Sequence, residues 1–213
     1  MKFFPSLMCA DSGHFAQEIQ SLEDAGADGF HIDIMDGEYV PNFALSWAEV
    51  ANFRGITKLP FEAHLMVRNL EVHISFASLV GIRRVYIHTD HPDVAKALDC
   101  VRAYGMESGL AVNPETDVHS LLQFGDIFDA ILMMRVRPGF AGQRPVTLSD
   151  QRLKLLHSMF PDKEIVVDGA VTADVIAEMT HNGATGFVLG TSSLFGKKRP
   201  YQAIMNDLRI LSK

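Results

Sequence analysis

Short apolar runs alternate with longer amphipathic segments along the whole chain, and this alternation constrains the fold more than any other feature. Each run is typical of a buried strand and each longer segment of a helix. The runs predict strands at residues 3–9, 28–35, 61–66, 84–88, 107–112, 130–134, 164–167 and 186–189. Eight such units in 213 residues favour an α/β fold, the closed (β/α)8 or TIM barrel, over an open sheet. No linker interrupts the pattern, so residues 1–213 are expected to form a single domain.

The amphipathic segments carry helix signals of their own. In "SGHFAQEIQSLEDAG", Phe15, Ile19 and Leu22 recur at helical spacing and Gly26 supplies a stop. Residues 182 and 183 supply a similar stop at the end of "TADVIAEMTHNGA". These stops fit helices that end before each returning strand.

Composition and charge narrow the class of protein. The chain is 47% hydrophobic and 21% charged, which is typical of a globular protein, and its formal charge of −7 argues against a nucleic-acid or anionic-membrane partner. No apolar stretch has membrane length and the start does not resemble a signal peptide, so we expect a cytoplasmic protein. The two cysteines, Cys9 and Cys100, are expected to be buried free thiols.

Polar side chains cluster where the predicted strands end. "HIDIMDG" places His31 and Asp33 on one face of a strand, "EAHLMV" adds His64, and "VVDGA" adds Asp168. A lone H-x-D pattern is more often a satisfied core histidine, but strand ends of a barrel converge on one site. Two imidazoles and two carboxylates form a plausible ligand set for a divalent metal, and the carboxylates could also act as general acid and general base.

Glycine-rich turns follow the last three predicted strands, in "RPGFAGQ", "DGA" and "GTSS". Such turns can simply serve the geometry of a barrel. Three adjacent turns, together with the hydroxyls of Thr191, Ser192 and Ser193, favour a phosphate site made of backbone N–H groups.

The sequence resembles the ribulose-phosphate 3-epimerase family. The resemblance rests on "PSLMCAD", "HIDIMDGEYVPN", "EAHLMV", "GLAVNPET", "RPGFAGQ", "VDGAV" and "GTSSLF", which cover nearly the whole chain in the expected order. It implies a barrel enzyme that moves a proton at C3 of a ketose phosphate with one divalent metal ion, Zn²⁺, Fe²⁺, Mn²⁺ or Co²⁺.

The resemblance also implies roles for individual residues. The metal ligands would be His31, Asp33, His64 and Asp168, and the catalytic acid/base pair would be Asp33 and Asp168. The sugar would contact the residues Ser6, His64, Met35, Met66 and Met134. The phosphate would lie against Gly139, Phe140, Ala141, Gly142, Gly169, Ala170, Gly190, Thr191 and Ser192.

Three positions depart from the family pattern. Ala170 stands where a second glycine is usual, so its methyl group is expected to narrow the phosphate pocket. Arg137 replaces a residue that is commonly acidic or small and polar, and it lies either at the anionic end of the substrate or on the surface. Asp90 stands where a glutamate is common after a strand-end histidine. That histidine, His88, either supports a ligand from behind or is a buried structural residue.

The other six histidines fall in predicted helices or loops, and we expect them at the surface: His14, His73, His91, His119, His157 and His181.

The resemblance leaves the substrate open. D-Ribulose 5-phosphate, converted to D-xylulose 5-phosphate, leads, and D-allulose 6-phosphate is the alternative. A metal-free phosphate-binding lyase or synthase, and a non-catalytic sugar-phosphate-binding relative, are the rival interpretations. We also expect a homo-oligomer, and the loop "RPGFAGQRP" is the candidate lid.

Overall fold

A computed structural model describes residues 1–146 and 149–213. Its centre is a sheet of parallel strands in the order β1-β8-β7-β6-β5-β4-β3-β2. The strands are β1 Lys2–Pro5, β2 Phe30–Met35, β3 Phe61–Met66, β4 Arg84–His88, β5 Glu107–Val112, β6 Ala130–Met134, β7 Glu164–Asp168 and β8 Gly186–Leu189.

Helices connect the strands and cover the outside of the sheet. The α-helices are α1 Phe15–Asp24, α2 Trp47–Phe53, α3 Leu70–Leu79, α4 Val94–Ala103, α5 Ser149–Met159, α6 Ala173–Thr180 and α7 Tyr201–Leu211. A 3-10 helix, Val118–Phe124, takes the place of a helix between β5 and β6. The eight-stranded sheet and its helices form the TIM barrel that the alternation predicts, as a single domain.

Among the described residues, the ring of paired strands has one seam, between β1 and β2, where no ladder forms. A parallel bridge joins Ser6 to His31 there. The backbone N–H of Asp28 also donates to the carbonyl oxygen of Phe3 at 3.0 Å. The barrel is therefore nearly closed, and part of its closure lies at the strand ends that carry polar residues.

The apolar side chains divide into two layers. Alternate residues such as Ile32 and Ile34 face the helices and form the main core, whereas Phe4, Leu132 and Val166 fill the inside of the barrel. Because side chains alternate along a strand, the residues on either side of Ile32 point the opposite way, towards the inside of the barrel. This alternation directs His31 and Asp33 into the barrel.

The amino-terminal end of the barrel is closed by a buried ionic network. The guanidinium of Arg84, which is 2% exposed, pairs with Glu62 at 3.0 Å and with Glu164 at 2.9 Å. It also pairs with Glu107 at 2.5 Å and donates to the hydroxyl of Tyr86 at 3.2 Å. The network fills the end of the barrel opposite the polar strand ends.

Most predicted element bounds are confirmed, but the first strand was predicted too long. It ends at Pro5, and Leu7–Cys9 forms a 3-10 helix in which the N–H of Cys9 donates to the carbonyl of Ser6. Leu7 still packs in the core, so the apolar run continues although the strand has ended. Within the described residues, no helix is both long and apolar enough to cross a membrane.

The surface prediction is wrong for His91. It is buried, its Nε2 lies 3.0 Å from the carbonyl oxygen of Arg68, and its Nδ1 accepts the N–H of Asp93. The loops after β3 and β4 meet there, a contact that a linear pattern does not show. His73 is half-buried beside Trp47, and the other four lie exposed: His14, His119, His157 and His181.

Candidate functional site

Four ionisable side chains converge at the carboxyl ends of β2, β3 and β7. The β2–β3 register makes Asp33 and His64 direct neighbours, and Asp168 is the last residue of β7. His31 lies one inward position before Asp33 on the same strand. The fold thus brings together the four residues that the sequence predicts as a ligand set.

The donor atoms of the four residues lie within 4.8 Å of one another. Asp33 Oδ1 is 3.2 Å from His64 Nδ1 and 3.5 Å from His31 Nε2. Asp168 Oδ2 is 3.9 Å and 4.0 Å from the same two nitrogens. Ligands at about 2.0–2.2 Å from one ion are separated by about 3–4 Å, so these spacings fit a small divalent metal.

His31 supplies an independent sign that the cluster fits a cation. It is fully buried, and neither ring nitrogen has a hydrogen-bond partner. Leaving a buried polar atom unpaired costs about 1–3 kcal/mol. A metal bound at Nε2 would remove that cost for one of the two nitrogens. His31, Asp33, His64 and Asp168 could therefore hold a metal ion.

Electrostatic interactions within the cluster shift the pKa values of its two carboxylates in opposite directions. Burial opposes the charging of His31, but the nearby Asp33, with Asp168 and Glu62, outweighs it and raises the pKa of His31 to about 9. Burial likewise opposes charging of Asp33, but His31 and His64 hold its pKa well below the usual range. Burial and the charge of Asp33 raise the pKa of Asp168. Asp168 therefore takes up a proton more readily than Asp33.

Ser6 orients Asp33 from the neighbouring strand. Its hydroxyl donates to Asp33 Oδ2 at 2.7 Å, which leaves Oδ1 facing the two imidazoles. Ser6 also forms the seam bridge to His31. The same serine thus fixes a carboxylate of the cluster and closes the barrel.

A solvent-open cavity lies above the cluster. All the residues predicted to contact substrate line it, namely Ser6, Met35, His64, Met66, Met134, Gly139, Phe140, Ala141, Gly142, Gly169, Ala170, Gly190, Thr191 and Ser192. Asp33 and Asp168 line its floor, while His31 lies behind them, fully buried. One cavity therefore joins the ionisable cluster to the three glycine-rich turns.

The turn after β7 has an unusual backbone. Gly169 has φ +96°, and a Cβ there would come within 2.6 Å of a methyl group of Val136. Ala170 follows with φ +49°, the one positive φ at a non-glycine residue in the described chain. Such a conformation costs an L-residue about 1–2 kcal/mol, so the alanine holds this turn under strain.

Arg135 holds that turn from below. Its guanidinium donates to the carbonyl of Ala170 at 2.7 Å and more weakly to that of Gly169 at 3.3 Å. Because N–H and C=O point in opposite directions across a trans peptide, the next two amide N–H groups point away from Arg135. The turn therefore offers N–H groups on the side opposite the guanidinium.

Arg137 lies on the rim of the cavity and pairs with Glu115. The guanidinium is 2.7 Å from the carboxylate, and the Arg137 side chain is 75% exposed. This hydrogen bond lowers the pKa of Glu115. Of the two places expected for Arg137, the structure shows a solvated position at the edge of the cavity.

Two residues at the site were missed from the sequence, Cys9 in the cavity wall and Arg135 behind the turn after β7. Cys9, assigned no chemistry, faces the cavity, and burial beside Asp33 raises the pKa of its thiol to about 11. Arg135 lies two residues before Arg137 and no sequence motif assigned it a role. The end of the first predicted strand could have pointed to Cys9, but the cross-strand reach of Arg135 has no sequence signal. Cys100 is also free and only partly buried.

His88 lies directly behind His64. Their Nε2 atoms are 2.7 Å apart, and His88 is 1% exposed. Burial and the neighbouring His64 hold the pKa of His88 well below its usual range. Beyond it, Asp90 accepts hydrogen bonds from Tyr39 at 2.6 Å and from Asn113 at 3.1 Å. His88 thus contacts the cluster from behind.

The fold and site define a TIM-barrel enzyme with a histidine and aspartate cluster at the carboxyl end of its strands. Residues 2–195 match the model of the Ribulose-phosphate 3 epimerase family. The chain belongs to this family, and it is an isomerase that acts on carbohydrate phosphates.

Curated relatives agree along nearly the full length. The Rhodobacter capsulatus ribulose-phosphate 3-epimerase is 34% identical over 199 residues, which cover 92% of this chain and 87% of that protein. The Bacillus subtilis enzyme of the same name is 30% identical, with 96% of each chain covered.

Solved structures show the same fold at low sequence identity. Phosphoribosyl anthranilate isomerase from Thermus thermophilus superposes with a TM-score of 0.75 at 12% identity, covering 99% of this chain and 100% of that one. A mutant tryptophan synthase alpha-subunit from Pyrococcus furiosus gives 0.72 at 13% identity, with 99% and 96% covered. At these identities the likeness concerns the barrel alone.

Proposed function

We propose that the chain catalyses metal-dependent epimerisation at C3 of a ketose phosphate, converting D-ribulose 5-phosphate to D-xylulose 5-phosphate. The observation that carries the proposal is the cluster of His31, Asp33, His64 and Asp168 on the floor of a cavity rimmed by glycine-rich turns. The relatives, which are named ribulose-phosphate 3-epimerases, support the same reaction. Residues 1–213 would act together as one sugar-phosphate-binding barrel.

The four clustered residues would hold one divalent ion, Zn²⁺, Fe²⁺, Mn²⁺ or Co²⁺, since all accept nitrogen and oxygen ligands. When bound, the ion supplies positive charge that stabilises the negative charge developing on the substrate during proton removal. The buried, unpartnered nitrogens of His31 support this assignment.

The two carboxylates would move the proton. Epimerisation needs a base on one face of C3 and an acid on the other, with an enediolate between the two proton transfers. Asp33, whose pKa is lowered, is suited to be ionised, and Asp168, whose pKa is raised, is suited to carry a proton. In the reverse direction the two exchange roles.

The remaining cavity residues would bind and orient the sugar. Ser6 and His64, which line the cavity, would contact its hydroxyl groups, while Met35, Met66 and Met134 would offer polarisable surface without a competing proton. The phosphate would be bound by backbone N–H groups of the turns at 139–142, 169–170 and 190–192. This arrangement suits an acidic protein, because it needs no basic patch.

A ketohexose 6-phosphate, D-allulose 6-phosphate, is the second candidate substrate. The motifs "SLMCAD", "NPET", "PGFAGQ" and "GTSSLF" favour it, since they look more like the allulose-phosphate branch of the family. It carries one more hydroxymethylene group between the reacting carbon and the phosphate. The choice thus depends on the span between the cluster and the turns.

Proton exchange in D₂O tests the proposal. Each sugar is incubated separately with the metal-loaded enzyme, with chelated enzyme, and with the Asp33→Asn variant, and C3 is followed by proton NMR. We expect metal-dependent deuterium incorporation at C3 together with the epimer, and the faster sugar identifies the substrate. Full activity in chelator would favour a metal-free lyase or synthase, and sugar binding without exchange would indicate a non-catalytic relative.

The proposal includes a cytoplasmic location, where phosphorylated sugars are metabolised, and a homo-oligomeric state. Sedimentation equilibrium of the full chain tests the second of these, and a monomer at micromolar concentration would contradict it.

A further inference from the structure

The contact between His64 and His88 requires one hydrogen to lie between two nitrogens. Their Nε2 atoms are 2.7 Å apart, and both side chains are buried. Two lone pairs at that distance repel, and two N–H groups collide, so one ring donates and the other accepts. The question is which ring carries the hydrogen.

The contacts of the other ring nitrogen of His64, Nδ1, determine which ring carries the hydrogen. His64 Nδ1 is the atom that faces Asp33 and Asp168, at 3.2 Å and 3.9 Å. A metal bound there takes the lone pair of Nδ1, so the ring hydrogen must lie on Nε2. His64 then donates to His88, and His88 must carry its own hydrogen on Nδ1.

His88 Nδ1 has a matching acceptor. Both His88 Nδ1 and Asn113 Oδ1 are buried and lack a hydrogen-bond partner, although the two side chains interact. The amide nitrogen of Asn113 donates to Asp90 Oδ2 at 3.1 Å, and this fixes which amide atom is the oxygen. Asn113 Oδ1 is therefore the candidate acceptor for the Nδ1 hydrogen of His88.

Asp90 anchors the far end of this series of contacts. Its second carboxylate oxygen accepts the Tyr39 hydroxyl at 2.6 Å, and the Tyr39 ring packs beside His88 at 5.2 Å between centroids. Tyr39 therefore touches both ends of the series. Its contacts restrict the rotation of the His88 ring.

We propose that His88 is a positioning residue for the metal site, accepting the Nε2 hydrogen of His64 while Asn113, held by Asp90, accepts the Nδ1 hydrogen of His88. The series Asp90–Asn113–His88 holds His64 in the one tautomer that leaves Nδ1 free to bind a cation. This inference rests on the proposed function, since it concerns the same metal site.

Nitrogen-15 NMR of the unmodified full chain tests the tautomers directly. With ¹⁵N-labelled histidine and Zn²⁺ bound, long-range proton–nitrogen correlations show which ring nitrogen carries a hydrogen. We expect a hydrogen on Nε2 of His64 and on Nδ1 of His88. A hydrogen on Nε2 of His88 would overturn the proposal whatever the variants show.

Cobalt binding to matched variants tests the energetic consequence. Co²⁺ is titrated into the apoprotein, and its visible absorption gives both the affinity and the coordination. We expect His88→Phe to weaken binding by about 10–100-fold, the usual range for losing a residue that orients a metal-bound histidine. His88→Gln should restore most of the affinity, because its amide oxygen can accept and its NH₂ can donate.

The matched control is His73→Phe, which also removes an imidazole that makes one hydrogen bond beside an aromatic ring, that of Trp47. It should bind Co²⁺ like the parent. If His88→Phe binds Co²⁺ as tightly as the control, the positioning role is wrong while the metal site stands. If the parent itself binds no Co²⁺, the proposed function fails and this inference fails with it.

Discussion

At the scale of single residues, the site combines groups that would be costly anywhere else in the protein. His31 is buried with no hydrogen-bond partner at either ring nitrogen, and Ala170 holds a left-handed backbone conformation. Asp33 and Asp168 place two carboxylates within one cluster. Such features persist only where the surrounding structure enforces them, and they concentrate at functional sites.

The first prediction concerns the acid/base pair. Asp33→Asn and Asp168→Asn should each reduce epimerisation in both directions by about 10²–10⁴-fold, because each direction uses one residue as base and the other as acid. Initial rates from either epimer measure this. Cys100→Ser serves as the control and should keep parental rates. A variant that lost only one direction would contradict the two-base assignment.

The second prediction concerns the strained turn. Ala170→Gly should stabilise the protein by up to about 1 kcal/mol, since relief of about 1–2 kcal/mol of left-handed strain exceeds the 0.5–1 kcal/mol entropic cost of glycine. Urea unfolding gives the free energy of unfolding. Gly105→Ala is the reverse control: its φ is +76° and no atom lies within 4 Å of the added methyl group, so it should destabilise. Equal stability of both variants and the parent would contradict the strain argument.

Prediction of single residues from the sequence succeeded where the alternation of side chains along a strand alone determines which way a residue points. The two-residue period puts His31 and Asp33 on one face, and strand ends bring them to His64 and Asp168. It failed for Arg135, whose guanidinium crosses from β6 to the turn after β7. That contact depends on a side chain spanning two strands, which no local pattern reports.

At the scale of elements, the ends of β6 and β7 act as one unit. The backbone N–H of Arg135 donates to the carbonyl of Asp168 at 2.7 Å, and its side chain donates to Gly169 and Ala170. The same residue thus extends the strand pair and holds the turn beside the cavity. The proposed proton-transfer residue and the proposed phosphate-binding turn are linked by a single residue, through its backbone N–H and its side chain.

The third prediction follows from this link. Arg135→Met should raise the inhibition constant of inorganic phosphate by about tenfold or more. Removing a charged donor from these partly buried carbonyls costs about 1.5–3 kcal/mol and lets the turn move. Competitive inhibition kinetics measure it, with circular dichroism to verify folding. Arg135→Lys, which keeps the charge but not the fork of donors, should fall between the two. An unchanged inhibition constant for Arg135→Met would remove Arg135 from phosphate binding.

Strand bounds were predictable to within two residues except where one apolar run served two structures. Residues 3–9 read as one strand, yet the chain turns into a 3-10 helix after Pro5, and Leu7 remains in the core. Hydrophobicity records burial and does not record backbone conformation. The five strands that match exactly in position have turn or loop residues at both ends.

At the scale of the whole molecule, the cluster joins strands that are distant in sequence. Its residues come from β2, β3 and β7, and its support through Ser6 follows β1. An ion at this place would connect β2 and β3, on one side of the seam, with β7 on the other side. Binding of metal should therefore stabilise the entire barrel.

The fourth prediction measures that stabilisation. Adding Co²⁺ or Zn²⁺ at about 100 times its dissociation constant should stabilise the fold by about 2.7 kcal/mol and raise Tm by about 5–10 °C. Differential scanning calorimetry of chelated and reloaded protein gives the shift. His31→Gln, tested in the same way, should show a much smaller one. Equal shifts in both proteins would mean that the metal binds elsewhere.

The barrel itself was predictable because eight repeated units leave few alternatives in a chain of this length. The buried ionic network around Arg84 was not predictable from the sequence. Glu62, Glu107 and Glu164 lie on three different strands, and only closure of the ring brings them to one guanidinium.

The order of the strands has a consequence for synthesis on the ribosome. β1 is made first, but its ladder partner is β8, the last strand to be made. A nascent chain that ends before Gly186 offers β1 no such partner, so Ser6 has no fixed neighbour on that side. We therefore expect a chain that ends at residue 184 to bind no Co²⁺, whereas residues 1–213 bind it. Retention of Co²⁺ by the shorter chain would disprove this coupling. The site would thus form only after β8 has been translated.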